Sequence, residues 1–212
     1  MTETVRRAGL RSAYVEAIVT RGVPEPGERD PRLWTPRFYA YAVPYVWIVR
    51  PELQERGTDV VVARDTHRIS PGAIDPAVKN FHRGDSTRGL FEAYDRGGWL
   101  AILLDADGFV TEGPGFNVFA LVDNVLSTPA RGVLHGITRK TVIEIAQERR
   151  MRVHVGDLPV SDLYRATEIF LSSTAEAVTT MIRDRYWELH SDPRFTEEID
   201  YSPTHSATEG RA

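Results

Sequence analysis

The sequence contains no cysteine, which excludes both disulfides and thiolate metal sites. It is almost without lysine: of 26 basic residues only Lys79 and Lys140 are Lys, and the rest are Arg. No apolar run approaches the roughly 20 residues of a membrane span. The opening MTETVRRAGL lacks the apolar segment of a secretory leader. There is no basic excess either, and a net charge of −4 argues against a nucleic-acid binder, which presents a basic face. The expectation is a cytoplasmic protein with neither a nucleic-acid nor a membrane partner. At 212 residues, 42% of them hydrophobic, the chain is long enough to bury the core of one large domain or two small ones.

The scarcity of lysine makes its placement informative. Arginine replaces lysine as a positive charge but not as a neutral amine, because the guanidinium does not deprotonate in the working range. Lys79 stands in PGAIDPAVKNFHRGD (71–85), an irregular stretch broken by prolines and glycines. A surface lysine there would be an ordinary solvated charge. Yet Asp75-Pro76 and Arg83-Gly84-Asp85 offer turn chemistry that holds a backbone rigidly. A lysine amine in a partly desolvated pocket forms a Schiff base.

Around that stretch the pattern is mixed α and β. Residues 2–11 read as a helix stopping near Gly9, 12–22 as a strand, and 23–36 as a Pro-rich loop. Strands are expected at 38–49, interrupted by Pro44, and at 58–69. A helix over 86–98 opens on a Ser cap and closes on glycine. A strand over 99–105 turns at Asp107-Gly108, and 117–129 forms a hairpin turning at Asp123-Asn124. DADG (105–108) is a hairpin turn rather than a calcium loop, since Val110 and Gly113 fill later ligand positions. A helix follows Gly136, then a strand, a short helix over SDLYRAT, and a buried strand EIFLSSTA (168–175). The polar tail 200–212 reads as disordered.

Three further motifs carry chemistry. Glu112 in TEGPGFNV (111–118) is a lone carboxylate at a strand end before two glycines, which permit close approach of a flat ligand. Gly136, Ile137 and Thr138 open a helix, whose free N–H groups and dipole attract an anion of phosphate size. LSSTA (171–175) ends a strand in three hydroxyls. Each alone is also an ordinary turn, helix start or strand end. Together with Lys79 they supply a Schiff-base amine, a carboxylate for a pyridinium nitrogen and two donor sets for a phosphate. Pyridoxal 5′-phosphate needs all of these.

The ordered segments AIDPAVKN, LLDADGFVTEGPGFNVFAL, TPARGVLHGITRKTVIEIA and EIFLSSTA resemble the fold type IV pyridoxal-phosphate aminotransferases, the branched-chain and D-amino-acid aminotransferase family. YVEAIVTRG, PYVWIV and GAIDPAVKN most resemble its (R)-selective amine transaminase branch. The resemblance runs over roughly residues 5–176, with EIDY near the end. It implies an α+β, D-amino-acid aminotransferase-like fold and a homodimer. It implies Lys79 as the Schiff-base lysine, Glu112 at the pyridine nitrogen and Leu134 behind the ring. Ile137, Thr138 and Thr174 would contact phosphate. Tyr14, Glu16 and Arg29 (or Arg32) would meet the substrate, a small amine or amino acid exchanging its amino group with a keto acid.

Against that pattern the chain has Arg83 where the amine transaminase branch has tryptophan, and Glu176-Ala177 where a glycine pair is usual. The Gly-rich strand segment expected to follow that pair is missing, since AVTTMIRDRYW leads almost at once to the final helix. The resemblance also implies an N-terminal truncation. Residues 1–34 are then the remnant of a small domain with its interdomain loop, 35–199 the cofactor-binding domain and 200–212 a tail. Two other readings stand beside the transaminase: a same-fold lyase of the aminodeoxychorismate type, and a truncated, non-catalytic homologue that only dimerises or binds the cofactor.

Overall fold

The computed structural model describes residues 1–54 and 57–174. Glu176-Ala177, the segment from AVTTMIRDRYW onward, EIDY and the 200–212 tail lie outside them. The chain divides into two compact units, with the change after Val46. The expected boundary at 34/35 falls inside a hairpin, at the start of its second strand.

The first unit holds a helix and that hairpin. Helix α1 (Thr2–Ala8) stops where Gly9 turns left-handed at φ 67°. Strand β1 (Ala13–Val23) is rich in β-branched residues and pairs antiparallel with β2 (Thr35–Pro44). The register shifts between Thr20 and Val23, at Gly22 with φ 97°. A Cβ on Gly22 would lie 1.8 Å from the Thr35 carbonyl oxygen, so this bulge accepts no side chain. Strand β2 ends at Pro44, short of the expected 49, because proline withdraws a ladder donor.

The second unit is built from two parallel crossovers and a meander. After a short helix α2 (Pro51–Gln54), β3 (Val60–His67) leads through α3 (Gly84–Asp95) to β4 (Leu100–Leu104), which pairs parallel with β3. The expected Ser cap of α3 is corrected: the N-cap is Arg83, with no side-chain cap bond, and Ser86 sits inside the first turn. Asp85 takes the Ser86 N–H instead. The DADG segment makes a tight turn in which Asp105 Oδ1 accepts the N–H groups of Asp107 and Phe109.

Next come β5 (Glu112–Gly113), β6 (Phe116–Val122) and β7 (Val125–Pro129). The β6–β7 turn falls at Asp123-Asn124 as expected, both with positive φ (50° and 59°). Helix α4 (Ile137–Glu148) carries the chain to β8 (Arg152–Gly156), parallel to β7. Helix α5 (Val160–Arg165) precedes β9 (Glu168–Ser172), which pairs antiparallel with β6. Strand β9 is less buried than its sequence suggests. Glu168 and Ile169 are exposed, and only Ser172 at its end is fully buried.

Strand β6 organises the core through its two-residue period. Phe116, Val118, Ala120 and Val122 face a cluster with Ile102, Val110 and Leu158. Phe119 faces the other way, packing with Leu126, Val142 and Ala146. Its ring stacks on Phe170 with centroids 4.9 Å apart. A rigid, double-faced strand therefore anchors whatever sits at its N-terminal end.

Candidate active site

One cleft of about 560 Å³ opens at that end. It is lined by the 76–83 loop, the first turn of α3, the β5–β6 turn, the start of α4 and the end of β9. Lys79, Glu112, Leu134, Ile137, Thr138 and Thr174, far apart in sequence, all line it.

The loop carrying Lys79 is held by a relay of local bonds. Asp75 Oδ1 accepts the Ala77 N–H at 2.9 Å, Asn80 Nδ2 donates to the Val78 carbonyl at 2.7 Å, and Asn80 Oδ1 accepts the His82 N–H at 2.9 Å. These are the side chain-to-backbone turns that Asp and Asn favour. They give Lys79 a defined backbone while its side chain stays exposed.

Glu112 is the opposite case. Its side chain is only 12% exposed, and the sheet register explains its setting. Glu112 pairs with Asn117, and Asn117 pairs with Ser172. Three polar residues thus lie side by side across β5, β6 and β9. Glu112 Oε2 accepts the Leu134 N–H at 2.7 Å and, more weakly, Asn117 Nδ2 at 3.3 Å. Asn117 Nδ2 also reaches the Leu134 carbonyl at 2.8 Å, so Asn117 ties β6 to the loop leading into α4. Burial pushes the Glu112 carboxyl above its ordinary range, although the Leu134 N–H and Arg68 pull the other way.

Arg68 was not singled out by sequence, yet it is central. It donates to Glu112 Oε1 at 2.9 Å through Nη2, and to Asp85 through Nη1. Asp85 also accepts the Ile69 N–H at 2.8 Å and the Ser86 N–H at 2.7 Å. This joins the end of β3 to the start of α3. Arg68 and Asp85 are one-tenth exposed or less. Burial works to raise the Asp85 pKa, but these bonds outweigh it and hold the carboxyl below its ordinary value. From sequence Asp85 carries only turn chemistry, and Asn117 is not singled out. Asn117 is marked only as a polar residue in an apolar strand, and Asp85 only as an acid at a helix start.

The phosphate-sized end has its own signature. Helix α4 starts at Gly136 with no side-chain cap, which leaves first-turn N–H groups without intrahelical partners. A Cβ on Gly136 would lie 2.5 Å from Asn117 Oδ1, so only glycine allows this approach. Thr138 and Ser172 are 4% and 2% exposed; both residues line the cleft, and neither hydroxyl has a hydrogen-bond partner among the described residues. Buried hydroxyls without partners are costly, and a ligand rich in acceptor oxygens would satisfy both. Thr174 is exposed at the rim.

The remaining expected residues belong to the first unit. Tyr14 and Glu16 lie on β1, where Glu16 accepts a hydrogen bond from the Tyr41 hydroxyl on β2. Arg29 is exposed in the loop between β1 and β2, and Arg32 there is ion-paired with Asp30.

Residues 1–181 match the family model of the class IV aminotransferases. The chain therefore belongs to the class IV aminotransferase family, and its fold is that of the type IV enzymes. A Methanocaldococcus jannaschii protein, provisionally named a branched-chain-amino-acid aminotransferase, is 35% identical over 83% of this chain and 60% of its own length. The Escherichia coli branched-chain-amino-acid aminotransferase is 32% identical over 84% of this chain and 58% of its own. The E. coli enzyme's crystal structure superposes with a TM-score of 0.71 at 31% identity, over 82% of this chain and 58% of that one. The chain thus spans about three fifths of the length of these relatives.

Proposed function

We propose that the cleft binds pyridoxal 5′-phosphate and serves a transaminase that moves an amino group between a small amine or amino acid and a keto acid. The observation that carries this reading is the convergence on one cleft of Lys79, buried Glu112, and Thr138 and Ser172, whose buried hydroxyls have no partner among the described residues. The donor set suits the cofactor. Hydroxyls and uncapped N–H groups at α4 meet a phosphate, and a buried carboxylate meets a ring nitrogen.

When bound, the cofactor supplies an aldehyde carbon and a ring that accepts electrons. The protein's part follows from its own groups. Glu112, held by Arg68 and the Leu134 N–H, keeps a proton at the ring nitrogen. Leu134 presents an apolar face to the ring. Lys79 would hold the cofactor's aldehyde through Nζ, and as a free amine Nζ would move a proton at the substrate Cα. The lining carries the cations Arg68, Lys79 and Arg83 against one acid, Glu112, which favours anionic ligands.

For the donor, the names of the relatives favour branched-chain amino acids, and the YVEAIVTRG and GAIDPAVKN motifs favour small amines. Tyr14, Glu16 and Arg29 are proposed as substrate contacts, and a homodimer as the working form. Adding pyridoxal phosphate to the protein tests the reading. An absorbance band at roughly 400–430 nm should appear, and Lys79→Ala should abolish it. A folded protein that shows no band would refute the cofactor assignment.

A further inference from the structure

Arg139 poses a problem that the cofactor site alone does not answer. It lies in the first turn of α4 and is only 7% exposed. Its Nη2 donates to the Pro129 carbonyl at 2.7 Å and its Nε to Thr128 Oγ1 at 3.2 Å. Both partners are neutral. Among the described residues no carboxylate forms an ion pair with it, whereas the equally buried Arg68 holds two. The carboxylate whose field reaches Arg139 is Glu112, which spends its contacts on Arg68, Leu134 and Asn117. A buried guanidinium with only neutral partners is an unbalanced charge, and such groups are costly unless something compensates them.

The compensation available lies on the cleft side of the same helix turn. Thr138 precedes Arg139 and lines the cleft, and its buried hydroxyl has no hydrogen-bond partner among the described residues. Ser172 Oγ is in the same condition. The uncapped helix start adds N–H groups and the positive end of its dipole. Thr138 and Arg139 on one helix turn and Ser172 at the end of β9 leave two hydroxyls without partners and a charge without an ion pair among the described residues, a deficit that one anion would reduce.

We infer that Arg139 is the buried counter-charge for a phosphoryl dianion held at the first turn of α4, acting from behind Thr138 without touching the ligand. This rests on the cofactor reading but makes a separate demand: the charge should matter to the phosphate and not to the ring. Arg139 is then a positioning residue with an electrostatic share. Its bonds to Thr128 and Pro129 fix the end of β7 against α4, and its charge raises affinity for the dianion. A purely structural Arg139 would fasten β7 to α4 and do nothing more.

The test compares the full chain with Arg139→Met and Arg139→Lys, titrated with pyridoxal phosphate, with pyridoxal, and with inorganic phosphate as competitor. Lys keeps the charge and loses the planar fork, whereas Met keeps volume and loses the charge. Arg139→Met should weaken pyridoxal phosphate and inorganic phosphate by about tenfold or more, since one pair of unit charges at an effective dielectric constant of about 20 is worth that factor even at roughly 12 Å. Pyridoxal should change little, and Arg139→Lys should retain most of the phosphate affinity.

Equal losses for pyridoxal and pyridoxal phosphate, or equal losses in the Met and Lys variants, would overturn the inference in favour of the structural role. Unchanged phosphate affinity in Arg139→Met would overturn it as well. Should Arg139→Met fail to fold, the Lys variant decides alone, since phosphate affinity lost with the charge retained counts against the proposal. If the native protein binds inorganic phosphate but not pyridoxal phosphate, the cofactor reading fails while the anion site stands. If it binds neither, both fail.

Discussion

Arg68 Nη2 lies 2.9 Å from Glu112 Oε1, and the two side chains are 10% and 12% exposed. A buried pair of this kind is poor evidence of added stability, because desolvation offsets much of the attraction. Its value here is placement. Asp85 engages the other end of the same guanidinium, so Arg68 is shared between two carboxylates and Glu112 is not fully neutralised by it. A carboxylate so placed keeps the capacity to engage a protonated ring nitrogen.

Replacing Glu112 by Gln should therefore separate binding from chemistry. Gln can still accept the Leu134 N–H and face the ring, but it carries no charge to retain the ring proton. Turnover should fall by about a hundredfold or more, the order seen when a preorganised electrostatic group is removed. Cofactor affinity should change much less. Steady-state kinetics with a cofactor titration would show the split.

Acid stability should track Asp85. Its folded pKa lies below the ordinary value of 3.8, so its contribution is fully present above that value and is lost as pH falls through the lower, folded one. Glu112 has the opposite sign. Its folded pKa is raised above the ordinary value of 4.5, so its burial is tolerated best at low pH and becomes a cost as it ionises. Denaturant melts of Asp85→Asn should lose stability at neutral pH relative to the native chain, with the difference shrinking at low pH. A difference independent of pH would exclude the ionised Asp85 as its source.

Gly113 is the backbone support of Glu112. A Cβ there would lie 2.0 Å from the Phe116 ring and 2.4 Å from the Ala101 carbonyl oxygen. Gly113→Ala must therefore push β5 away from β4 and β6 and carry Glu112 with it. A loss of about 1–3 kcal/mol is expected from such overpacking, together with weaker pyridoxal phosphate binding. Thermal melts and an absorbance titration would measure the two effects.

The core claim about β6 is tested by Phe119→Ala. Phe119 is fully buried and stacked on Phe170, so truncation should cost about 3–5 kcal/mol. Chemical denaturation of the two proteins gives the difference directly.

Most of the element pattern was legible from sequence because it rests on local rules. Gly9 in the left-handed region, the Asp123-Asn124 turn and the Gly136 helix start each follow from short-range chemistry. What was not legible depends on contacts between distant segments. Ser86 reads as a cap from sequence, but Asp85 fills that neighbourhood through its bond to Ile69 in the loop after β3. Lys79 and Glu112 stood out because their residue types are scarce or placed before glycines. Arg68, one arginine among many, became visible only when β3, β5 and α3 were brought together.

With only two lysines, the central claim reduces to one experiment. The protein is incubated with pyridoxal phosphate, reduced with borohydride, digested and mapped by mass spectrometry. A phosphopyridoxyl mass increment on the peptide containing Lys79, absent from Lys140, is the expected result. Modification confined to Lys140, or none in protein that remains folded, would contradict the assignment of Lys79 and with it the proposed chemistry of the cleft.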